Sequence, residues 1–235
     1  QWGIPIHAHL AQSVEEVQRC RERYGQTPVQ WLRELGALEA TPGAVFAHAL
    51  FTTRNDLSLL DAKRHHLVFC PYSQLIFGFP APIHRWQEAG MSWVVATDCS
   101  ANNDGNNVQQ ELRMVAGQRT VSTGWSSAFE SFFDGNGSAE EVWHHRGQNH
   151  NQLKDLGAPE ALLQKVWTQP GAMHPKFRVG TIAVNAMANL TIWDTDHPSF
   201  WPPSAPMRTL AMADPIGAIH GMVVGGRVQG TWGDY

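Results

Sequence analysis

His9, His48 and Asp98 are the residues of this sequence whose types and placing suit them to act together, because each ends a short apolar run that reads as a β-strand. Imidazole nitrogen and carboxylate oxygen are borderline-hard donors that suit zinc and other divalent cations. Both groups can also take up a proton and return it, which is general acid–base work. In a parallel sheet or barrel, the C-terminal strand ends are where ligands bind and reacting side chains gather. Taken one at a time, a strand-end His is an ordinary hydrogen-bonded residue, and an Asp followed by Ser100 and Asn102 can simply cap a turn. Their joint occurrence on three of four strands points instead to one cavity.

The elements that must hold these side chains alternate strand and helix. Gly3–His9 reads as a buried strand, and the spacing of Ser13 and Glu16 predicts a capping box that starts a helix near Val14. Val14, Val17, Cys20 and Tyr24 give that helix one apolar face; Gly25 stops it. Thr27 and Pro28 restart it, and it ends at Leu35 before Gly36. The same grammar repeats as strand Ala44–Ala49, helix Asn55–Arg64, strand Leu67–Cys70, helix Pro82–Ala89, strand Trp93–Thr97 and helix Val108–Arg119. This is an α/β pattern with a parallel sheet and right-handed crossovers. An open doubly wound sheet and half of an eight-stranded barrel both fit it.

From about residue 120 to 152 the pattern dissolves into Gly, Ser, Asn and His with scattered aromatics, which suggests an insertion or a partner contact. Pro159–Thr168 is helical again. Beyond Phe177, short strands at Gly180–Val184, Asn189–Trp193, Gly221–Val224 and Arg227–Thr231 predict part of a small β domain. Gly225 and Gly226 read as a hairpin turn, since no helix follows them to make a dinucleotide loop.

Composition narrows the function classes. Of 235 residues only 16% are charged, the formal net charge is -4, and ten residues are Trp. With no run of Lys or Arg there is no electrostatic footprint for a nucleic acid or an anionic membrane, and neither is expected as a partner. Cys20, Cys70 and Cys99 are odd in number and widely spaced, which predicts neither a disulfide framework nor a zinc knuckle and makes a reducing cytoplasm the expected setting. No apolar run approaches the roughly 20 residues of a membrane span, and no basic-then-apolar leader opens the chain. The chain opens on Gln1 and is in an apolar strand by Ile4, so an upstream segment is expected.

The segments His7–Gln12, Val45–His48, Phe69–Ser73 and Ala96–Asn103 follow one another in the order and spacing of barrel strands five to eight of the amidohydrolase superfamily. The sequence most resembles the branch containing S-adenosylhomocysteine and methylthioadenosine deaminases, guanine deaminases and s-triazine hydrolases. Glu111 and Arg113 resemble that branch's glutamate and arginine on the following helix, and Val179–Asp194 resembles its return to a small β-sandwich. The match is best over residues 1–119 and resumes from about 159 to 230. It implies the C-terminal half of a TIM-type (β/α)8 barrel over residues 1–175, with an insertion near 120–152, and part of a β-sandwich domain over 176–235.

The resemblance also implies roles. His9 becomes the strand-five metal ligand, and Asp98 the strand-eight ligand and proton acceptor. His48 becomes the residue that hydrogen-bonds the substrate or the attacking water. Ser73 falls on the pocket wall; where relatives carry Asn next, this chain has Gln74. The glutamate expected three residues after the strand-five ligand is Gln12, which leaves an amide where a proton donor is expected. Ser73, Asn102, Asn103 and Gln12 could each meet a ring by hydrogen bonds, or be ordinary turn residues. The implied cofactor is a divalent metal, zinc before iron. The implied substrate is a small nitrogen heterocycle that loses an amino or other leaving group at carbon.

His7 and His9 themselves form an HxH pair, which in a first strand would supply two ligands. Only four strand–helix units follow, however, and a complete barrel needs about 250 residues before any second domain. Strand five is therefore the better register for His9. A reading from another class is that the chain is a catalytically incomplete fragment or structural half, since by the family pattern it lacks the strand-one HxH. It would then need a complementary N-terminal chain or a homo-oligomer partner to cover its sheet edges.

Overall fold

The computed structural model of the chain describes residues 3–79, 81–101, 103–118, 131, 134–144, 157–174, 176–202 and 205–231. By internal contacts the chain divides into two compact units, Gln1–Asn106 with Gly117–Lys154, and Asn107–Ala116 with Asp155–Tyr235.

In the first unit, β1 (Ile6–Leu10), β2 (Ala44–His48), β3 (His65–Phe69) and β4 (Ser92–Val95) form one sheet in the order β1-β2-β3-β4. All three pairings are parallel. A doubly wound sheet reverses its strand order at a switch point. No reversal occurs among these four strands, so the doubly wound alternative does not hold for them.

Parallel strands are covered on both faces, and their sequences are accordingly apolar almost throughout. One face carries the row Ala8, Phe46, Leu67, Trp93, with the last three buried. The other carries His9, Ala47, Val68 and Val94, of which only His9 is exposed. Phe69, Trp93 and Trp86 form a cluster with ring centroids 6.4 to 6.5 Å apart. Aromatic edge-to-face contacts of this kind add about 0.5–1.5 kcal/mol each beyond the area they bury.

Helices fill the crossovers where caps and glycines allow. They are α1 (Val14–Tyr24), α2 (Pro28–Glu34), α3 (Ala37–Ala40), α4 (Arg54–Ser58), α5 (Pro71–Phe77) and α6 (Ile83–Glu88). Ser13 caps α1 by accepting the Glu16 N–H, and Gly25 closes it in the left-handed conformation. Thr27 and Gln30 make the reciprocal capping box of α2, with Pro28 at its first position. Buried Asp56 ties two helix starts together, accepting from Thr27 Oγ1 at 2.5 Å and from the Thr53 N–H and hydroxyl at 2.8 Å each.

Two sequence expectations need correction here. The helix expected over Asn55–Arg64 is only α4. Asp61 turns the chain instead, accepting the Lys63 N–H and the Arg64 Nε–H at 2.9 Å each, and such local side-chain bonds compete with helix. The strand expected over Leu67–Cys70 runs instead over His65–Phe69, and Pro71 then opens α5 at its first position, where its missing N–H costs nothing.

The second unit holds most of α7 (Val108–Gln118), helices Pro159–Gln164, Thr168–Ala172 and Pro206–Met212 and an antiparallel sheet of β5 (Leu190–Trp193), β6 (Ile219–Val224) and β7 (Arg227–Thr231). Gly225 and Gly226, both at positive φ (58° and 79°), make the two-residue hairpin between β6 and β7. The strand expected at Gly180–Val184 is absent. Gly180 sits at φ 74°, where a Cβ would stand 2.2 Å from the Trp167 carbonyl oxygen, and Ile182 and Val184 face solvent. The close approach of that backbone takes it out of extended geometry.

Of the segment 120–152, residues 131 and 134–144 are described, with 139–144 helical behind a Ser138–Glu141 capping pair. The rest of that expected insertion lies outside the described residues. No described helix is long and apolar enough to cross a membrane.

Candidate metal centre

β1, β2 and β4 deliver His9, His48 and Asp98 to the same edge of the sheet. One ligand-capable atom from each lies within 4.8 Å of the others. The pleat alone would not do this. His9 pairs with Ala47 and His48 with Leu10, so by strict alternation His48 faces away from His9. His48 and Ala49 have φ of 72° and 47°, however, and this left-handed exit places the two imidazoles with centroids 5.1 Å apart. Asp98, three residues past β4, has φ 62°, and Ala11, after β1, has φ 48°. Such conformations cost about 1–3 kcal/mol each outside glycine and gather where the surrounding structure enforces them for a purpose. Four of the five non-glycine residues with positive φ among the described residues lie at these strand exits.

Each side chain is held by neighbours. The buried Ser73 hydroxyl donates to Asp98 Oδ2 at 2.8 Å, and the Cys99 N–H donates to Oδ1 at 2.9 Å. The Gln74 amide nitrogen lies 3.1 Å from His48 Nδ1, and both residues are buried. Glu16 reaches back across the start of α1 to accept the Ala11 and Gln12 N–H groups at 2.7 and 2.8 Å. The turn leaving β1 is therefore pinned by a carboxylate. Burial pushes the His48 imidazole below its ordinary pKa, against the opposite pull of Asp98; His9 lowers it further.

The donor set fits a divalent cation. Among the described residues His48 Nε2 is buried without a hydrogen-bond partner, which is costly unless something polar or charged meets it. An imidazole and a carboxylate stand beside it. These two, from His9 and Asp98, are the nitrogen and oxygen donors that zinc and iron accept, and His48 Nε2 faces them.

Not every expected residue joins this group. Ser73 touches it through Asp98. Asn103 donates to the Thr97 carbonyl at 3.1 Å and so closes the loop that carries Asp98. Gln12 is half-buried in the turn after β1, its backbone held by Glu16. Asn102 lies outside the described residues. The sequence reading missed Gln74 as the partner of His48 and Glu16 as the clamp of the β1 exit. The signal for Gln74 was a polar residue directly after Ser73; the signal for Glu16 was a capping glutamate so close behind a strand end.

A parallel α/β sheet with His and Asp side chains converging at its C-terminal edge defines an α/β protein in which His9, His48 and Asp98 form a group that could hold a metal ion. The sequence profile of the amidohydrolase family matches residues 1–131, more than half of the chain, and the chain belongs to that family. A 5-methylthioadenosine/S-adenosylhomocysteine deaminase of Aquifex aeolicus is 27% identical over 97% of this chain and 46% of its own length. One from Pelotomaculum thermopropionicum is 32% identical over 55% of this chain and 30% of its own. Among solved structures, an adenosine deaminase from Xanthomonas campestris with bound zinc superposes with a TM-score of 0.72 at 20% identity, covering 96% of this chain and 45% of that one. Zinc-complexed atrazine chlorohydrolase from Arthrobacter aurescens does so at 0.73 and 21%, covering 96% and 44%. The chain thus spans less than half the length of the relatives it matches.

Proposed function

We propose that this chain is the C-terminal half of a metal-dependent hydrolase that cleaves a carbon–nitrogen bond, or another carbon–leaving-group bond, of a nitrogen heterocycle. In this reading residues 1–175 carry strands five to eight of a (β/α)8 barrel and residues 176–235 part of a small β-sandwich. The convergence of His9, His48 and Asp98 carries it. Deaminases and a triazine chlorohydrolase among its relatives support the substrate class. Among the described residues Cys20, Cys70 and Cys99 form no disulfide, in keeping with a reducing cytoplasm.

His9 and Asp98 would hold the ion, zinc in our reading and iron otherwise. When bound, such an ion supplies Lewis acidity that brings water's pKa toward neutrality. The remaining work falls to the chain's own residues. Asp98, with one oxygen on Ser73 and the other on the Cys99 N–H, accepts the proton of the attacking water and returns it to the leaving group. His48 directs its free Nε2 at the water or the ring. Ser73 and Asn103 would line the pocket that receives the ring, and Gln12 would offer it an amide.

The test is metal analysis of the natural-length protein, with ammonia release from aminated purines and halide release from a chloro-s-triazine. A chelator should abolish turnover, and His9→Asn should lose the metal. Turnover indifferent to both would overturn the reading.

A second reading is favoured by the sheet: within the described residues β1 and β4 are each paired on one side only. Such edges call for a cover. Two ligands also fall short of the three that a catalytic zinc takes from protein. On this reading the 235-residue chain alone is inert and needs a complementary N-terminal chain or a second copy. Activity that appears only when strands one to four are supplied supports it; ammonia release by the chain alone refutes it.

A further inference from the structure

We infer that Gln74 is a positioning residue that sets the tautomer of His48, making His48 Nε2 a hydrogen-bond donor into the site and not a ligand of the metal. The inference rests on the proposed function for what the site does, but its geometry is independent of any substrate.

An amide nitrogen can only donate. The Gln74 Nε2, 3.1 Å from His48 Nδ1, therefore requires a lone pair on Nδ1. A neutral imidazole that accepts at Nδ1 carries its hydrogen at Nε2, and an imidazolium would set two donors against each other. Nε2 is the buried nitrogen that has no hydrogen-bond partner among the described residues, so its N–H can meet a substrate or water. A metal ligand needs the lone pair that this tautomer places on the other nitrogen.

The backbone of both partners is held, while Gln74 Oε1 is buried with no hydrogen-bond partner among the described residues. His48 is held by its left-handed exit from β2. Gln74 is buried within α5, where its N–H bonds to the Cys70 carbonyl and its own carbonyl accepts from Gly78 and Phe79. Turning the Gln74 amide over would present Oε1 to an Nδ1–H and free Nε2 to ligate the ion. The same residue therefore decides between two chemical roles for His48. Gln74 follows Ser73, which holds Asp98, so two consecutive residues of one helix orient two of the three central side chains.

The experiment reads the imidazole nitrogens of the natural-length protein by long-range proton–nitrogen correlation after 15N-histidine labelling, with His48→Asn used to assign the signals. Spectra are taken without metal and with zinc, at a pH where His48 is neutral. Wild type should show a hydrogen-bearing Nε2 and an acceptor Nδ1 in both states. Gln74→Glu, whose carboxylate can only accept, should move the hydrogen to Nδ1 and cut kcat by about 10- to 100-fold, the usual cost of losing a group that orients a site residue. Gln74→Met, which nearly keeps the volume, should leave a mixture of tautomers and serves if the Glu variant does not fold. A hydrogen on Nδ1 in wild type, or an Nε2 signal that takes on a zinc-bound character, would overturn the inference. So would an inverted tautomer that leaves kcat unchanged. Because the tautomer is read without metal or substrate, a protein that hydrolyses no heterocycle would sink the functional reading and leave this result intact.

Discussion

Asp98 is the residue on which the proposed chemistry most depends, and its surroundings show what substitution should do. The carboxylate accepts from Ser73 Oγ and from the Cys99 N–H, and Asn could accept with one oxygen only. Asp98→Asn removes the proton acceptor while keeping the shape, so kcat should fall by about 10²- to 10⁴-fold with the fold unchanged by circular dichroism. A loss of less than tenfold would move the proton to another group. Gln12 tests the reaction from the other side. A glutamate there could protonate a ring nitrogen, so Gln12→Glu should raise deamination by about 10²-fold or more if the site is deaminase-like. If the natural leaving group needs no ring protonation, the variant should be unchanged or impaired in halide release while gaining nothing in ammonia release. A flat response in both assays removes Gln12 from the mechanism and leaves it as a turn residue.

At the scale of the element, the join between β1 and α1 is the piece whose geometry the site most needs. Ala11 is left-handed, and two successive N–H groups would be stranded by that turn if Glu16 did not accept both. The spacing of Ser13 and Glu16 predicts a capping box. Ser13 performs its half, whereas Glu16 passes over the Ser13 N–H and takes the two before it. Glu16→Ala should therefore cost more than an exposed cap, about 1–3 kcal/mol for two part-buried donors left without a charged acceptor. Urea unfolding midpoints would measure it, and the same variant should weaken metal binding because His9 lies two residues from the clamp. Unchanged stability would mean that water replaces the carboxylate and the turn is not under strain.

For the molecule as a whole, buried and half-buried histidines set the response to acid. Burial lowers the pKa of His48, His65, His66 and His84 from the ordinary 6.5. Their folded forms are neutral, and the unfolded chain takes up their protons first. The stability they contribute is thus full above about pH 6.5 and lost as pH falls through the lower folded values. Glu15 and Asp61 are also held down, by backbone hydrogen bonds first, but from ordinary values of 4.5 and 3.8. Their loss comes in a more acid window. Denaturant midpoints of the metal-free protein should be flat above pH 6.5 and fall between there and 4.5; a flat profile through that interval would show the histidines to be solvated. The sheet core gives a control outside the site: Trp93→Ala should cost about 3–5 kcal/mol, since Trp93 packs against Phe69 and Trp86 with almost no exposure.

Local rules carried the sequence reading as far as local rules reach. Ser13, Gly25, Thr27 and Pro28 placed α1 and α2 correctly because caps act within a few residues, and the apolar runs placed β2 to β4 because burial on both faces demands them, whereas β1, expected as a buried strand, is buried only at Leu10. The strand-end position of His9, His48 and Asp98 was legible for the same reason. What the sequence could not contain was the strand order, which separates a sequential parallel sheet from a doubly wound one through pairings between distant segments. Nor could it show that His48, on the wrong face by alternation, comes beside His9 through a φ of 72°, since that backbone state is enforced only by the packed sheet around it. The failed strand at Gly180–Val184 has the same cause, a backbone approach to Trp167 that no pattern in the segment encodes. The sequence determined which residues could react and where the elements begin; tertiary packing decided how those residues face one another, because orientation at a strand exit depends on contacts made far away along the chain.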